Sequence, residues 1–102
     1  MRLTYPTTLV LQALLQGHHH GFDIMDATGL PSGTVYPILR RLDADGAVRS
    51  RWEKDGEARK QQRPPRRYYE LTSHGRDLAA EAADRYRPLR TVTASARAGR
   101  SS

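Results

Sequence analysis

The chain has 102 residues, 37% of them hydrophobic, with no cysteine and a formal net charge of +6. That length favours one small domain with a modest core of its own. No apolar run approaches the ~20 residues that span a bilayer, Thr, Pro and Gln interrupt any signal-peptide pattern in residues 1–17, and without cysteine neither disulfides nor thiolate metal sites are available. Cytoplasmic residence is therefore expected, with no cofactor or metal.

The charge is unevenly spread. From Arg49 to Arg67, eight basic residues face only Glu53, Asp55 and Glu57, a net +5. Such a cluster is often a solvated loop. Beside a basic helix face it suits a polyanion, and nucleic acid first.

Residues 7–16, TTLVLQALLQ, read as a first helix. Leu9, Val10, Leu11, Ala13, Leu14 and Leu15 leave it little polar face, so it needs cover on more than one side, one of which invites a second subunit. Gly17 stops it. Residues 18–21, HHHG, read as a polar connection: adjacent histidines do not share a helix face, and no partner set at ligand spacing accompanies them. Residues 21–28 form a short second helix with Phe22, Ile24 and Met25 supplying its apolar side.

The third helix, residues 32–45, is the most informative stretch. Ser32 is its expected N-cap, and Gly46 is the expected left-handed residue after it. Val35, Ile38, Leu39 and Leu42 fall at i, i+3, i+4 and i+7 and share one face. Gly33, Thr34, Tyr36, Pro37, Arg40 and Arg41 occupy the other, which is basic and almost free of aliphatic side chains. A helix anchored on one side and presenting such groups on the other suits the major groove of DNA. Pro37 conflicts with a helix interior, yet the apolar spacing runs straight through it, which predicts one continuous helix.

Residues 47–54 read as a strand with Val48, Ser50 and Trp52 on one face and Arg49 and Arg51 on the other. Residues 55–65 are a polar, Pro-ended loop, and residues 66–71 a returning strand. Together they make a hairpin with a long basic tip, a wing. Thr72 caps a last helix, residues 73–87, whose stripe is Leu78, Ala82 and Tyr86; Pro88 ends or kinks it. The tail, residues 91–102, has the composition of a disordered segment. The expected fold is mainly α with a small β-hairpin: a winged helix-turn-helix over residues 1–71, a C-terminal dimerisation helix over residues 72–90, then the tail.

GFDIMDATGLPSGTVYPILRRLDADGAV followed by PRRYYELTSHGRDL resembles the PadR family of bacterial transcriptional regulators. Several separated motifs agree in order over roughly residues 8–80, and the short last helix is similar to the small-sized branch. The resemblance implies a repressor acting as a homodimer on double-stranded DNA at a palindromic operator, with dimer contacts from the first and last helices: Leu9, Val10, Ala13, Leu78, Ala82 and Tyr86. Some relatives bind aromatic ligands at the dimer interface, so an aromatic small-molecule effector is among the implied partners.

The candidate DNA-binding residues on the third helix are Ser32, Gly33, Thr34, Tyr36, Pro37, Arg40 and Arg41. Tyr36 can reach a phosphate or pack at the helix edge. Ser32 and Thr34 lie where a helix N-terminus favours phosphate. The arginines can reach guanine edges or phosphate, or pair with Asp43 and Asp45. In the wing the candidates are Arg59, Lys60, Arg63, Arg66 and Arg67; Arg66 and Tyr68 alternate with Arg67 and Tyr69, so only one of each pair can face a duplex. Trp52 is expected to pack at the base of the wing, the alternative being a wall of a ligand pocket. A protein-interaction module and a nonspecific nucleic-acid binder are the competing functions. No carboxylate pair, nucleophile–base set or phosphate loop stands at credible spacing, so an enzyme is not expected.

Overall fold

Thr4 starts the first helix. Its hydroxyl accepts from the Thr7 backbone N–H at 3.3 Å, and Pro6 sits in the first turn, where a missing donor costs nothing. The structure, a computed structural model, describes residues 2–87. Helix α1 (Tyr5–Leu15) thus begins two residues earlier than its apolar run suggests. It packs against α2 (Gly21–Thr28), α3 (Ser32–Ala44) and the final helix, α5 (Ser73–Arg85). That triple contact covers much of the apolar surface of α1 within one chain: Val10, Leu11, Ala13 and Leu14 are all buried, in the same core as Ala79 and Ala82, while Leu15 stays exposed. Val10, Ala13 and Ala82 were expected at a dimer interface. Their surface is already used inside the protomer. Leu9, Leu78 and Tyr86 keep part of their surface open.

Helix α2 is capped by His20, whose Nδ1 accepts from the Asp23 N–H at 3.3 Å. Ile24 is its buried anchor, while Phe22 stands 71% exposed. The two are separated by about 200° around the helix, so a helix that buries Ile24 must turn Phe22 outward.

The turn to α3 runs through Gly29, at φ 75°, and Pro31. Ser32 is the first helical residue, not the cap. Pro31 holds the cap position, and no side chain caps the helix. Val35, Ile38, Leu39 and Leu42 are buried as their spacing requires, and α3 continues unbroken through Pro37. Asp45 then closes the helix, and Gly46 adopts φ 75°.

Strands β1 (Val48–Trp52) and β2 (Arg67–Leu71) pair antiparallel, with Val48 opposite Leu71, Ser50 opposite Tyr69 and Trp52 opposite Arg67. The inner face therefore carries Val48, Ser50, Trp52, Arg67, Tyr69 and Leu71; the outer face carries Arg49, Arg51, Tyr68 and Glu70. Val48 and Tyr69 bury the inner face against the core. The connection is not wholly a loop: residues 55–60 form α4 (Asp55–Lys60), with Asp55 and Glu57 in its first turn and Arg59 and Lys60 in its last. That order of charge complements the helix dipole. Gln62 follows at φ 54°, the one non-glycine residue with positive φ among the described residues.

The histidine segment is also more than a polar connection. The His19 carbonyl accepts from the Tyr69 N–H at 2.7 Å, and His20 bridges antiparallel to Tyr68. It thus lies along β2 on the side away from β1. Helix α5 starts at Thr72, whose hydroxyl accepts from the Gly75 N–H at 3.1 Å, and it ends at Arg85, short of the expected residue 87. Tyr86 follows with its hydroxyl on the Leu3 carbonyl at 3.1 Å and its ring 5.5 Å from that of Tyr5. The readings of Pro88 and of residues 91–102 lie outside the described residues. No helix among those described is long and apolar enough to cross a membrane.

Candidate nucleic-acid interface

Burial of one side of α3 decides what the other side shows. Ser32, Gly33, Arg40 and Arg41 are exposed; Thr34, Tyr36 and Pro37 are half-buried. Pro37, Arg40, Arg41 and Ala44 line a shallow, open hollow along the helix. Arg40 and Arg41 make no ion pair among the described residues, so their donors stay available. Asp43 and Asp45, the acids expected to compete for them, turn elsewhere: Asp43 lies 3.7 Å from Arg67, and Asp45 Oδ2 lies 3.0 Å from His74 Nε2, whose N–H it can accept.

Tyr36 has a double position. Its ring end lies against Gly21, where an added Cβ would come within 2.2 Å of the hydroxyl oxygen. The missing side chain at Gly21 is what lets α2 and α3 approach this closely, and the Tyr36 ring sets their spacing. The packing reading of Tyr36 thus has a geometric basis, and its remaining exposed part borders the basic face.

The inner face of the wing continues this surface. Arg67 donates from Nη2 to the Ser50 hydroxyl at 2.8 Å, and its guanidinium lies over the rings of Trp52, 5.6 Å away, and Tyr69, 5.9 Å away. Burial raises the Tyr69 phenol above its usual pKa, against the opposing pull of Arg67. Tyr69 also feels Tyr36, Asp43 and Arg40, so α3 and the wing meet around this one ring. Trp52 does not pack into the base of the wing as expected: it is 64% exposed. Val48 and Tyr69 complete the core two to four residues before the strand reaches Trp52, so the hairpin has already left the core there.

On the other side of the hairpin the charges are committed. Arg63 grips Glu53 with both terminal nitrogens, at 2.5 and 2.7 Å, and the Tyr68 hydroxyl donates to the same carboxylate at 3.0 Å. Glu53 is almost fully buried. The hydrogen bonds from Arg63 outweigh the opposing effect of burial, Tyr68 adds to them, and the carboxyl is held down to about 2. The same contact raises the Arg63 guanidinium. Arg63 was expected to touch DNA; in this fold its guanidinium fork is filled by the Glu53 carboxylate, which ties the two ends of the wing connection together. Arg51 lies over the Tyr68 ring at 4.9 Å, and Arg66 Nη1 is 3.5 Å from His20 Nε2. Burial and then Arg66 lower the pKa of His20. Arg59 and Lys60, on α4, remain exposed and without an ion pair among the described residues.

Glu53 and His20 are the side chains here whose roles the sequence did not suggest. Glu53 had a signal, a lone acid ending a strand and ten residues before an arginine across a turn. His20 had none, since its role depends on pairing with a strand nearly 50 residues away.

The family model for PadR-like transcriptional regulators matches residues 10–81. No curated protein sequence matches the chain. Among solved structures, a PadR family transcription regulator from Clostridium difficile R20291 superposes with TM-score 0.71 at 22% identity, over 90% of this chain and 97% of that one. A PadR-like transcription factor from Bacteroides fragilis gives TM-score 0.66 at 25% identity, over 85% and 84%. Bordetella bronchiseptica BpsR, whose DNA binding is regulated by 6-hydroxynicotinic acid, gives TM-score 0.68 at 24% identity; the match covers 89% of this chain but 64% of BpsR. The family's members are regulators of transcription, not enzymes. From the matched span, which runs from the second half of α1 through every element to the larger part of α5, the chain belongs to the PadR-like family of transcriptional regulators.

Proposed function

We propose that the chain is a sequence-specific repressor that binds a palindromic operator as a homodimer in the cytoplasm and occludes the promoter. The observation that carries this reading is the division of α3: four apolar side chains enclosed, and behind them Arg40 and Arg41 exposed with no ion pair among the described residues. A rigidly seated helix with unpaired guanidiniums can present them to guanine edges in the major groove. Ser32, Gly33 and Thr34 approach phosphate from the start of the same helix, Tyr36 and Pro37 border it, and Arg59, Lys60 and Arg67 reach the flanking backbone from the wing. Arg66, beside His20 on the far side of the hairpin, has the least direct approach.

Leu9, Leu78 and Tyr86, together with the exposed Leu15, are the apolar groups on α1 and around α5 with which a second copy would be met. Two α3 helices related by a two-fold axis would then lie about 34 Å apart, one turn of DNA. An aromatic effector belongs to the same reading, by analogy with the response of BpsR to 6-hydroxynicotinic acid.

Selection of bound fragments from a random duplex pool tests it. A single enriched palindrome with half-sites one helical turn apart is expected, together with a dimer in sedimentation. Enrichment of no sequence, or of an unrepeated half-site by a monomer, would remove the operator and dimer parts respectively.

A further inference from the structure

Trp52 is the largest side chain in the molecule, and it projects from the wing into solvent, 64% exposed. Large exposed aromatics are uncommon on a surface that meets only water, because covering them is favourable by roughly 25 cal/mol per Å². Its surroundings narrow down what would cover it. Trp52 shares the inner face of the hairpin with Ser50, Arg67 and Tyr69, the face turned toward α3. The Arg67 guanidinium lies over its ring, and Arg67 is only loosely opposed by Asp43 at 3.7 Å. Tyr69, at the inner end of this face, packs into the core with Val35, Ile38 and Leu39 of α3. The indole is therefore the outer end of a strip that runs past the Arg67 guanidinium to Tyr69 on the face turned toward α3, with Asp43 at 3.7 Å as the acid beside Arg67.

We propose that Trp52 is a DNA-contacting residue that lays its ring against a deoxyribose of the duplex backbone, with its indole N–H and Arg67 directed to the adjoining phosphates. The fit is chemical. A sugar offers an apolar face of the right size for the ring, and an anionic oxygen beside it suits an indole donor and a guanidinium. A bound phosphate would also displace Asp43 as the weaker partner of Arg67. This rests on the reading of α3 as the DNA-facing helix and extends that site to a residue with no charge.

The sole tryptophan makes the test specific, since all indole emission comes from this residue. The full chain is titrated with mixed-sequence duplex DNA at low salt, following Trp52 emission and, in parallel, the anisotropy of the same duplex carrying fluorescein. Emission is expected to change and to saturate along the anisotropy curve. Trp52→Ala is expected to weaken binding by about 5- to 20-fold, and Trp52→Phe by less, with unchanged circular dichroism. Anisotropy that reports binding while emission stays constant, or while Trp52→Ala binds as tightly as the original chain, overturns the contact and leaves the DNA-facing helix intact. No anisotropy change with any duplex overturns both. Emission that responds to an acidic protein but not to DNA assigns the strip to a protein partner and likewise overturns the proposal.

Discussion

Helix α3 and the wing both carry the basic charge of this molecule, and they manage it in opposite ways. On α3 the anchoring is apolar, and Arg40 and Arg41 make no ion pair among the described residues. In the wing, beyond the apolar seat of Val48 and Tyr69, charged side chains themselves hold the structure. Arg63 is tied to Glu53, Arg67 to Ser50 and Asp43, and Arg51 to the Tyr68 ring. Eight positive charges in a segment thus do not mean eight positive charges offered to a ligand. What a basic cluster presents is what remains after its internal contacts are subtracted, and in the wing Arg59 and Lys60 on α4 are the clearest remainder.

The contrast can be broken most severely from the α3 side. Leu39→Ala, at a fully buried position, is expected to cost about 2–5 kcal/mol in urea unfolding, because a cavity replaces the anchor. Next, Arg40→Ala is expected to lose about 1–3 kcal/mol of operator affinity with unchanged stability. A loss of stability instead would mean that Arg40 is a structural cation like Arg63. Glu53→Gln tests the wing. The native carboxyl is held near 2 against an ordinary value of 4.5, so the unfolded chain takes up its proton first as pH falls. The stabilisation is complete above 4.5 and is lost as pH drops from there toward 2. In Glu53→Gln the unfolding midpoint should be lower at neutral pH and should fall less steeply across that window; parallel pH profiles would show that the ion pair does not fasten the wing. The smallest effect is expected from Gln62→Gly. Gln62 holds φ 54°, and relief of the side-chain clash is partly offset by the entropy of glycine, leaving a net gain of about 1 kcal/mol or less.

Periodicity explains which of these features could be read in advance. The face of Val35, Ile38, Leu39 and Leu42 has the helical repeat and is enclosed residue by residue; the two strands follow their alternation. The small pieces were not readable. A six-residue helix, α4, has too few turns to leave a repeat. That α5 covers part of α1 could not be read in advance, because nothing local in α1 shows that a helix far along the chain returns to it. Trp52 and Phe22 were assigned to packing by residue type, but a domain this small runs out of core before it runs out of apolar side chains. Arg63 was assigned to DNA by charge alone, and only the fold reveals the acid that neutralises it.

The pairing of His19 and His20 with β2 has a consequence for solubility. A two-stranded ribbon has two unpaired borders, each a template for strands of neighbouring molecules. The histidine segment occupies one of them through the Tyr69 N–H. The other belongs to β1, where Arg49 and Arg51 stand exposed, and like charges on adjoining copies would repel before backbone groups could join. Aggregation through the ribbon is thereby discouraged on one side by occupancy and on the other by charge, so the arginines of β1 have a use even where no ligand touches them.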